Sequence, residues 1–453
     1  MNKNVYENYD EKKLKKAFDF CEGYKQFISS AKTERESIIE TIKIATKAGY
    51  KNLDDIIKSG KKLKAGDKIY SVNMDKAIIL AIIGKSPIEN GLNIVGSHID
   101  SPRLDLKVTP LYEDNKMCML DTHYYGGIKK YQWTATPLAI HGIICKKDGT
   151  KIRLNYGENE NDPVFGISDL LPHLDKEKRT EIVTGEELNL LVGTIPDKDK
   201  KTDAVKENIV KILKSHNIDE EDLFSAEIEI VPAGKARDFG IDKSMVFGYG
   251  QDDKVCAYTS LMAMLNLKNP EKTCVCLLVD KEEIGSVGAT GMESMFFENT
   301  IADLISITTD YSDLKLRHAL KNSKMLSSDV TAAFDPNRPT PFNKNTDAFL
   351  ARGIAFCKYT GSRGKSGASD ANPEFIANLR KILDENNINY QATEMGKVEA
   401  GGGGTIAYIM AKYDMDVIDA GVPVLSMHAP WEITAKVDIF ETYLTYDVFY
   451  RFM

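Results

Sequence analysis

The first residues that could do chemistry are a histidine and a carboxylate two positions apart, His98 and Asp100. They follow an apolar run, residues 92–95, that is typical of a buried strand, and the Gly-Ser and Ser-Pro pairs around them mark where it stops. Side chains two apart at a strand end project to the same side. The imidazole could therefore ligate a metal while the carboxylate accepts its other N–H. Alone, such a tripeptide is more often a histidine bonded to its neighbour.

Two pairs of adjacent carboxylates extend this pattern. Asp252 and Asp253 open a predicted helix, where capping explains one aspartate and bridging two cations would explain a second. Glu282 and Glu283 come just after a buried strand predicted over 273–279, where adjacent glutamates are costly unless a cation lies between them or one is protonated. In a metal site, one glutamate could ligate while its neighbour acts as general base toward a water.

A second histidine, His428, ends an apolar run at 422–427 that we predict to be a strand. Asp310 similarly follows a strand predicted over 304–308 and is a further candidate ligand. Two histidines and several carboxylates at the ends of different strands suit a pair of divalent ions. Mixed shells of this kind favour zinc, cobalt or manganese.

The elements that must position these side chains alternate between strand and helix from Met245 onward. Helices are predicted over 253–267 and 370–387, which implies an α/β fold with a mostly parallel sheet flanked by helices. Ligands in such folds collect beyond the carboxyl ends of the strands. The glycine run 401–404, including Gly403, leads into an apolar helix and would let the backbone approach a ligand.

The middle of the chain has a different texture, with short alternating segments such as 137–145 and 226–231 separated by polar turns. We interpret residues 105–243 as an inserted β-rich domain between two parts of a catalytic domain, 1–104 and 244–453. The edge strands of the insert could serve for self-association.

Bulk properties narrow the classes of function. A chain of 453 residues is too long for one core. Its net charge is -8 and both signs are interspersed along the chain, so the sequence shows no basic region of the kind that binds nucleic acid. No apolar run reaches the roughly 18 residues of a membrane helix. The first residues lack a signal-peptide pattern, so we expect a cytoplasmic protein.

Taken together, the ordered motifs resemble the aspartyl aminopeptidase family of two-metal metallopeptidases, in its bacterial branch, over nearly the whole chain. The segments that carry this resemblance are Gly96–Arg103, Asp252-Asp253, Asp280–Ser286, Ser328–Val330 and Ser426–His428. The resemblance implies two divalent ions, with zinc as the first expectation.

Carried over residue by residue, the resemblance implies a shell of five ligands, with Asp252 bridging the ions. These ligands are His98, Asp252, Glu283, Asp329 and His428. Asp100 would orient His98, and Glu282 would be the general base. The family order selects Asp329 in place of Asp310, which stays as the fallback.

The resemblance also implies residues that contact the substrate. Lys358 matches a lysine placed near an acidic P1 side chain, and His173 matches a histidine contributed by a neighbouring subunit. Family members resemble one another in forming dodecamers built from dimers, and the middle domain would mediate that dimerisation.

The chain departs from acid-specific relatives at two places. It carries Ala332 and Asp335 where they carry histidines, and Gly401–Thr405 where they carry Pro-Cys-Gly-Thr-Thr. The substrate pocket therefore differs from that of the acid-specific relatives, and a preference for an N-terminal Asp or Glu is left open.

The sequence thus predicts an aminopeptidase that removes N-terminal residues from short peptides by metal-assisted hydrolysis. Three alternatives stay open at this point. They are a two-metal carboxypeptidase or deacylase on the same core, a non-catalytic assembly protein that retains the fold, and a nucleotide-binding protein built on the glycine run.

Overall fold

The computed structural model describes residues 4–176 and 181–453. It divides into a first unit, Met1–Asp100 with Ala236–Met427 and Glu432–Met453, and a second unit, Ser101–Lys235 with His428–Trp431. None of the described helices is long and apolar enough to cross a membrane.

The helices of the described residues are α1 (Glu11–Ser30), α2 (Glu34–Lys47), α3 (Leu53–Lys58), α4 (Ala204–Ser215), α5 (Gln251–Leu265), α6 (Phe296–Thr308), α7 (Asp313–Lys321), α8 (Pro373–Glu385), α9 (Ala407–Ala411) and α10 (Lys436–Phe452). The strands are β1 (Lys51–Asn52), β2 (Lys68–Asn73), β3 (Ala77–Ile82), β4 (Leu92–His98), β5 (Arg103–Asp114), β6 (Met117–Tyr125), β7 (Leu138–Cys145), β8 (Lys151–Tyr156), β9 (Leu190–Gly193), β10 (Ala226–Pro232), β11 (Arg237–Phe239), β12 (Met245–Gly248), β13 (Thr273–Val279), β14 (Lys324–Ser327), β15 (Thr331–Ala332), β16 (Ile354–Cys357), β17 (Gly361–Ser362), β18 (Tyr390–Thr393), β19 (Gly402–Gly403), β20 (Asp416–Gly421), β21 (Pro423–Val424) and β22 (Glu432–Ala435).

The first unit is built on a sheet with the strand order β1-β2-β3-β13-β4-β14-β20-β16-β18. Neighbouring strands pair in parallel except at β2–β3, β3–β13 and β20–β16. The sheet is therefore mixed and flanked by helices, which confirms the predicted α/β class in this coarser form.

Apolar side chains cover both faces of this sheet, because alternate strand residues point to opposite sides. Val95 packs in a cluster with residues of α5 and α10, whereas Ile94 packs with residues of α6, α7 and α9. Such fully buried aliphatic side chains each contribute roughly 1.5–3 kcal/mol to folding.

The strands that matter most for function are the three parallel neighbours β13, β4 and β14. Each has buried apolar residues pointing to both faces, as a strand covered on both sides requires. Their carboxyl ends meet at one edge of the sheet, so the residues that follow them are brought together.

Two strand predictions were wrong. Residues 304–308 end helix α6, because Ile301, Leu304 and Ile305 recur at helical spacing and bury one face. Asp310 therefore follows a helix. Of the run 422–427, only Pro423–Val424 is strand, and Ser426 and His428 have positive φ in the turn beyond it.

The second unit contains an antiparallel sheet in the order β8-β7-β10-β5-β6-β9. Inside it His141 is buried, with Nε2 3.1 Å from Glu158 Oε1. Arg103 is also buried, and its Nε lies 2.7 Å from Asp105 and 3.3 Å from Glu229. The domain boundaries drawn from the sequence, 105–243 for the insert, stay a prediction, as does a role of this unit in dimerisation.

Candidate metal centre

His98 is the last residue of β4 and is only 2% exposed. Its Nδ1 lies 3.1 Å from the backbone oxygen of Asp100 and 3.3 Å from the Asp100 carboxylate. A proton on Nδ1 satisfies these acceptors, which leaves the Nε2 lone pair as the ligand atom.

Carboxylate oxygens converge on this Nε2. Oδ1 of Asp252 lies 3.1 Å away, and Oδ1 of Asp329 and Oε2 of Glu282 follow at 3.8 and 3.9 Å. Donor atoms of His98, Asp252 and Glu283 all lie within 4.8 Å of one another, and so do those of His98, Glu282 and Asp329. His98 belongs to both groups.

Asp100 organises more than the imidazole. The backbone N–H groups of Glu282 and Glu283 each donate to a different oxygen of its carboxylate, both at 3.1 Å. The fully buried Asp100 therefore ties the end of β4 to the turn that follows β13. One carboxylate thus fixes the histidine and both glutamates.

The aspartate pair lies at the start of α5, after Gly250, whose φ of 71° favours glycine. The peptide bond between Asp252 and Asp253 is cis. Oδ2 of Asp253 accepts the backbone N–H of His98 at 3.3 Å. The N–H of Asp252 donates to the Glu432 carboxylate at 3.2 Å. The bond to Glu432 thus fixes the backbone of Asp252 beside His98, and Asp253 binds the end of β4.

The electrostatics reflect negative charge gathered in a buried place. Burial raises the pKa of Asp329 well above its usual range, and the neighbouring Asp253 and Glu282 raise it further against the opposing effect of His98. Burial lowers the pKa of His98, but hydrogen bonds to Asp100 and Asp252 outweigh it and leave that pKa well above normal. A divalent cation would stabilise the ionised carboxylates and the neutral imidazole together.

The donor set fits zinc on chemical grounds. One imidazole nitrogen and several carboxylate oxygens at the ends of neighbouring strands are the ligands that Zn²⁺ takes in hydrolytic sites. The residues grouped with His98 are Asp252, Glu282, Glu283 and Asp329, all of them predicted site residues.

The other predicted site residues lie outside both groups in the described chain. His428 belongs to the second unit, where its Nδ1 is 2.9 Å from the oxygen of Gly127. Lys358 follows β16, and its Nζ lies 5.0 Å from the centre of the Tyr359 ring. His173 is exposed in a loop of the second unit, and Asp310 is exposed after α6.

Gly403 lies in the short strand β19, which pairs with β17. At Gly402, beside it, an added Cβ would lie 2.2 Å from the Gly361 oxygen, so part of the glycine run is required by backbone packing.

The sequence did not predict a role for Glu432, nor that Asp100 accepts the N–H groups of Glu282 and Glu283. Glu432 is a buried carboxylate in β22, between Trp431 and Ile433. A carboxylate inside an apolar segment was the available signal, but nothing in the sequence links it to Asp252, 180 positions away.

Comparison with known proteins bears on this geometry. The model of the family described as aminopeptidase I zinc metalloprotease (M18) matches residues 27–450. The chain belongs to the M18 family. It is accordingly a metallo-aminopeptidase, a hydrolase that acts on peptides.

Individual relatives agree over the full length. A probable M18 family aminopeptidase 1 of Clostridium acetobutylicum is 59% identical, over 99% of this chain and 97% of its own length. The crystal structure of an M18 aminopeptidase from Thermotoga maritima superposes with a TM-score of 0.95 at 42% identity, covering all of both chains. The structure titled as the S. cerevisiae mApe1 dodecamer shares the fold, with a TM-score of 0.75 at 20% identity over 96% of each chain.

Proposed function

We propose that this M18 aminopeptidase removes N-terminal residues from short peptides with two divalent ions, held by five side chains. These are His98, Asp252, Glu283, Asp329 and His428. The observation that carries the proposal is the convergence of Asp252, Glu282 and Asp329 on one buried imidazole nitrogen. We propose Zn²⁺ in both positions, with Co²⁺ or Mn²⁺ as functional substitutes.

The roles of the residues follow from their contacts. His98 belongs to both groups, and Asp252, closest to its Nε2, is the candidate bridge between the ions. Asp100 is a positioning residue that holds the imidazole through Nδ1 and the two glutamates through their N–H groups. When bound, the ions would polarise the scissile carbonyl and lower the pKa of a water.

Glu282 is our candidate general base. Its carboxylate lies at the same cluster but is partly exposed, with a side-chain exposure of 16%, whereas His98 is buried. It can therefore meet a water molecule that enters with the substrate. Glu282 would accept a proton from that water and give it to the leaving amine, since one group can act first as base and then as acid.

Substrate contacts are proposed for residues outside the cluster. The free α-amine would bind a metal or a carboxylate, which makes the enzyme act at N-termini. Gly403 would line the substrate's path, since it is exposed in the run before α9. Lys358 is the candidate for contact with an acidic P1 side chain, and His173 would act from a neighbouring subunit.

We propose a homo-oligomer, built from dimers into a dodecamer, through the second unit. Exposed apolar side chains surround His173 in the loop that carries it, namely Leu170, Leu171 and Leu174. The edge strands β8 and β9 also offer backbone groups for pairing. The fold is shared with an aminopeptidase structure whose title describes a dodecamer.

The test compares short peptides with free and acetylated N-termini, using protein loaded in turn with zinc, cobalt or manganese. Cleavage of the free peptide with release of the first residue, and no cleavage of the acetylated one, is expected. Equal cleavage of both, or release from the C-terminus, would support the carboxypeptidase or deacylase alternative instead.

A further inference from the structure

A row of polar side chains crosses the sheet one step below the candidate metal centre. Strand register pairs Ser327 of β14 with Asp419 of β20, and Asp419 with Cys357 of β16. Cys357 is in turn paired with Thr393 of β18. Residues paired across neighbouring strands project from the same face, so these four side chains form one row. We refer to them as the polar row.

The polar row lies on the face that carries His98. Ser327 is paired with Gly96, which is two residues before His98 on β4 and therefore points to the same side. Two strand residues span roughly 7 Å. The same spacing separates Asp419 from Gly421 on β20, and Gly421 lies against Asp329, since a Cβ added there would be 1.8 Å from the Asp329 backbone oxygen. A glutamine side chain from a substrate held at Asp329 therefore has roughly 7 Å to bridge, which its extended length and one hydrogen bond cover.

Asp419 is the unexplained member of this row. It is 5% exposed in a strand where Val417 and Ile418 pack in the apolar clusters, and its Oδ1 has no hydrogen-bond partner in the described chain. Burial raises its pKa to about 6, against hydroxyl contacts from Thr405 and Ser327. A buried carboxylate with an unused acceptor is costly for folding, so folding does not account for it.

The row is partly accessible at one of its internal members, Cys357. Cys357 and Thr405 are half-buried, and Gly402–Gly404 are exposed. The Ser327 hydroxyl donates to Thr405 Oγ1 at 3.4 Å, which places the end of the glycine run over the row. A side chain entering beside Gly403 would therefore meet hydroxyls first and the Asp419 carboxylate at the bottom.

We propose that the polar row is the floor of the P1 pocket and that Asp419 selects uncharged side chains with a hydrogen-bond donor, glutamine above glutamate. This inference rests on the proposed aminopeptidase function and names its substrate class. The amide N–H of glutamine would donate to Oδ1, whereas a glutamate carboxylate would face a like charge in a poorly solvated place.

Lys358 makes the opposite prediction, since it would attract an acidic P1 side chain. It directly follows Cys357, yet no ion pair joins it to Asp419 in the described chain, and its Nζ lies beside the Tyr359 ring. Asp419 is a buried member of the row, whereas Lys358 follows Cys357, which is half-buried. The two charges therefore give opposite orders of preference, which an experiment can separate.

The experiment measures kcat/KM of the full-length, metal-loaded protein on matched reporter substrates with P1 Gln, Glu, Met and Ala. Gln and Glu have the same shape, Met lacks the donor, and Ala is too short to reach Asp419. We expect Gln to exceed Glu by about 100-fold. In Asp419→Asn the Gln-to-Glu ratio should fall at least about tenfold while Ala cleavage stays within about threefold.

The matched control is Asp416→Asn, the same change on the same strand, where Asp416 instead accepts from the Asn372 side chain. It should keep the wild-type ratio. If Asp419→Asn does not fold, judged by its melting curve, the wild-type Gln-to-Glu ratio alone decides. A wild-type preference for Glu overturns the inference and leaves the aminopeptidase intact, whereas absence of cleavage of all four substrates overturns the proposed function itself.

Discussion

Two buried histidines face carboxylates in this molecule, one in each unit, and their surroundings differ in charge. In the second unit His141 contacts Glu158, whose other oxygen accepts the Gly234 N–H. Beside it, the Arg103 guanidinium lies between Asp105 and Glu229 and over the Tyr125 ring. That network contains its own permanent cation.

At His98, in contrast, the groups that dominate the electrostatics of Asp329 are other carboxylates and the imidazole itself. Buried like charges raise one another's pKa unless a cation compensates them. The comparison teaches that a buried histidine beside a carboxylate says little about metal binding. The two clusters differ in the carboxylates around the imidazole: three lie within 4 Å of the Nε2 of His98, and a divalent cation bound among them would compensate their charge.

The largest expected effect that separates the two clusters is on metal binding. In His98→Ala both ligand groups lose their shared nitrogen, so we expect loss of bound zinc and a fall in kcat/KM of about 10⁴-fold or more. Metal is measured by elemental analysis after dialysis. His141→Ala is the control and should retain the metal; equal metal loss in both variants would remove the distinction.

Glu282→Gln tests the chemistry at His98 apart from its charge. We expect kcat to fall by about 10²–10⁴-fold, because the amide cannot accept the proton of the attacking water. Zinc content should remain that of the wild type. Turnover that is unchanged would refute Glu282 as the base, and turnover lost together with zinc would make it a ligand.

Arg103→Met tests the cluster in the second unit, in which Arg103 supplies the positive charge. Removing the guanidinium leaves the buried Glu229 without that ion pair, so the free energy of unfolding should fall by about 3 kcal/mol. Urea denaturation with fluorescence measures it. Adding Glu229→Gln should recover part of the loss, and zinc content should not change. No loss of stability would show that Arg103 is not the compensating charge.

Asp100→Asn is expected to have the smallest effect, a weaker affinity of the His98 cluster for zinc. The asparagine oxygen can accept one N–H, but its amide would face the second, so the glutamates would be held less well. Zinc affinity should fall about 10- to 100-fold. Titration with a competing chelator measures it. Affinity equal to the wild type would exclude a positioning role for Asp100.

Much of the candidate site was predictable because its residues follow short apolar runs. The run before His98 and the run 273–279 before Glu282 are both strands, and parallel neighbours must end at one edge. Residues 304–308 were wrongly predicted to be a strand, because a short apolar run is compatible both with a strand and with the buried face of a helix. Only the preceding turn of α6 shows the helical period.

Contacts between distant segments could not be predicted from the sequence. Glu432 reaches the N–H of Asp252 through the position of β22, and Asp419 joins Ser327 through the order of the strands. Neither the order of strands nor their register is visible in local patterns. The roles of His428, Lys358 and His173 stay predictions for the same reason.

The Asp100 carboxylate accepts hydrogen bonds from two backbone N–H groups and also contacts the imidazole of His98. Since the same carboxylate anchors the imidazole of His98 and the peptide groups of Glu282 and Glu283, we expect the thermal displacements of these three residues to be correlated. The spacing between Glu282, the proposed base, and His98, a proposed ligand, would then change little as the residues move. Such coupling would keep the proposed catalytic groups aligned during thermal motion.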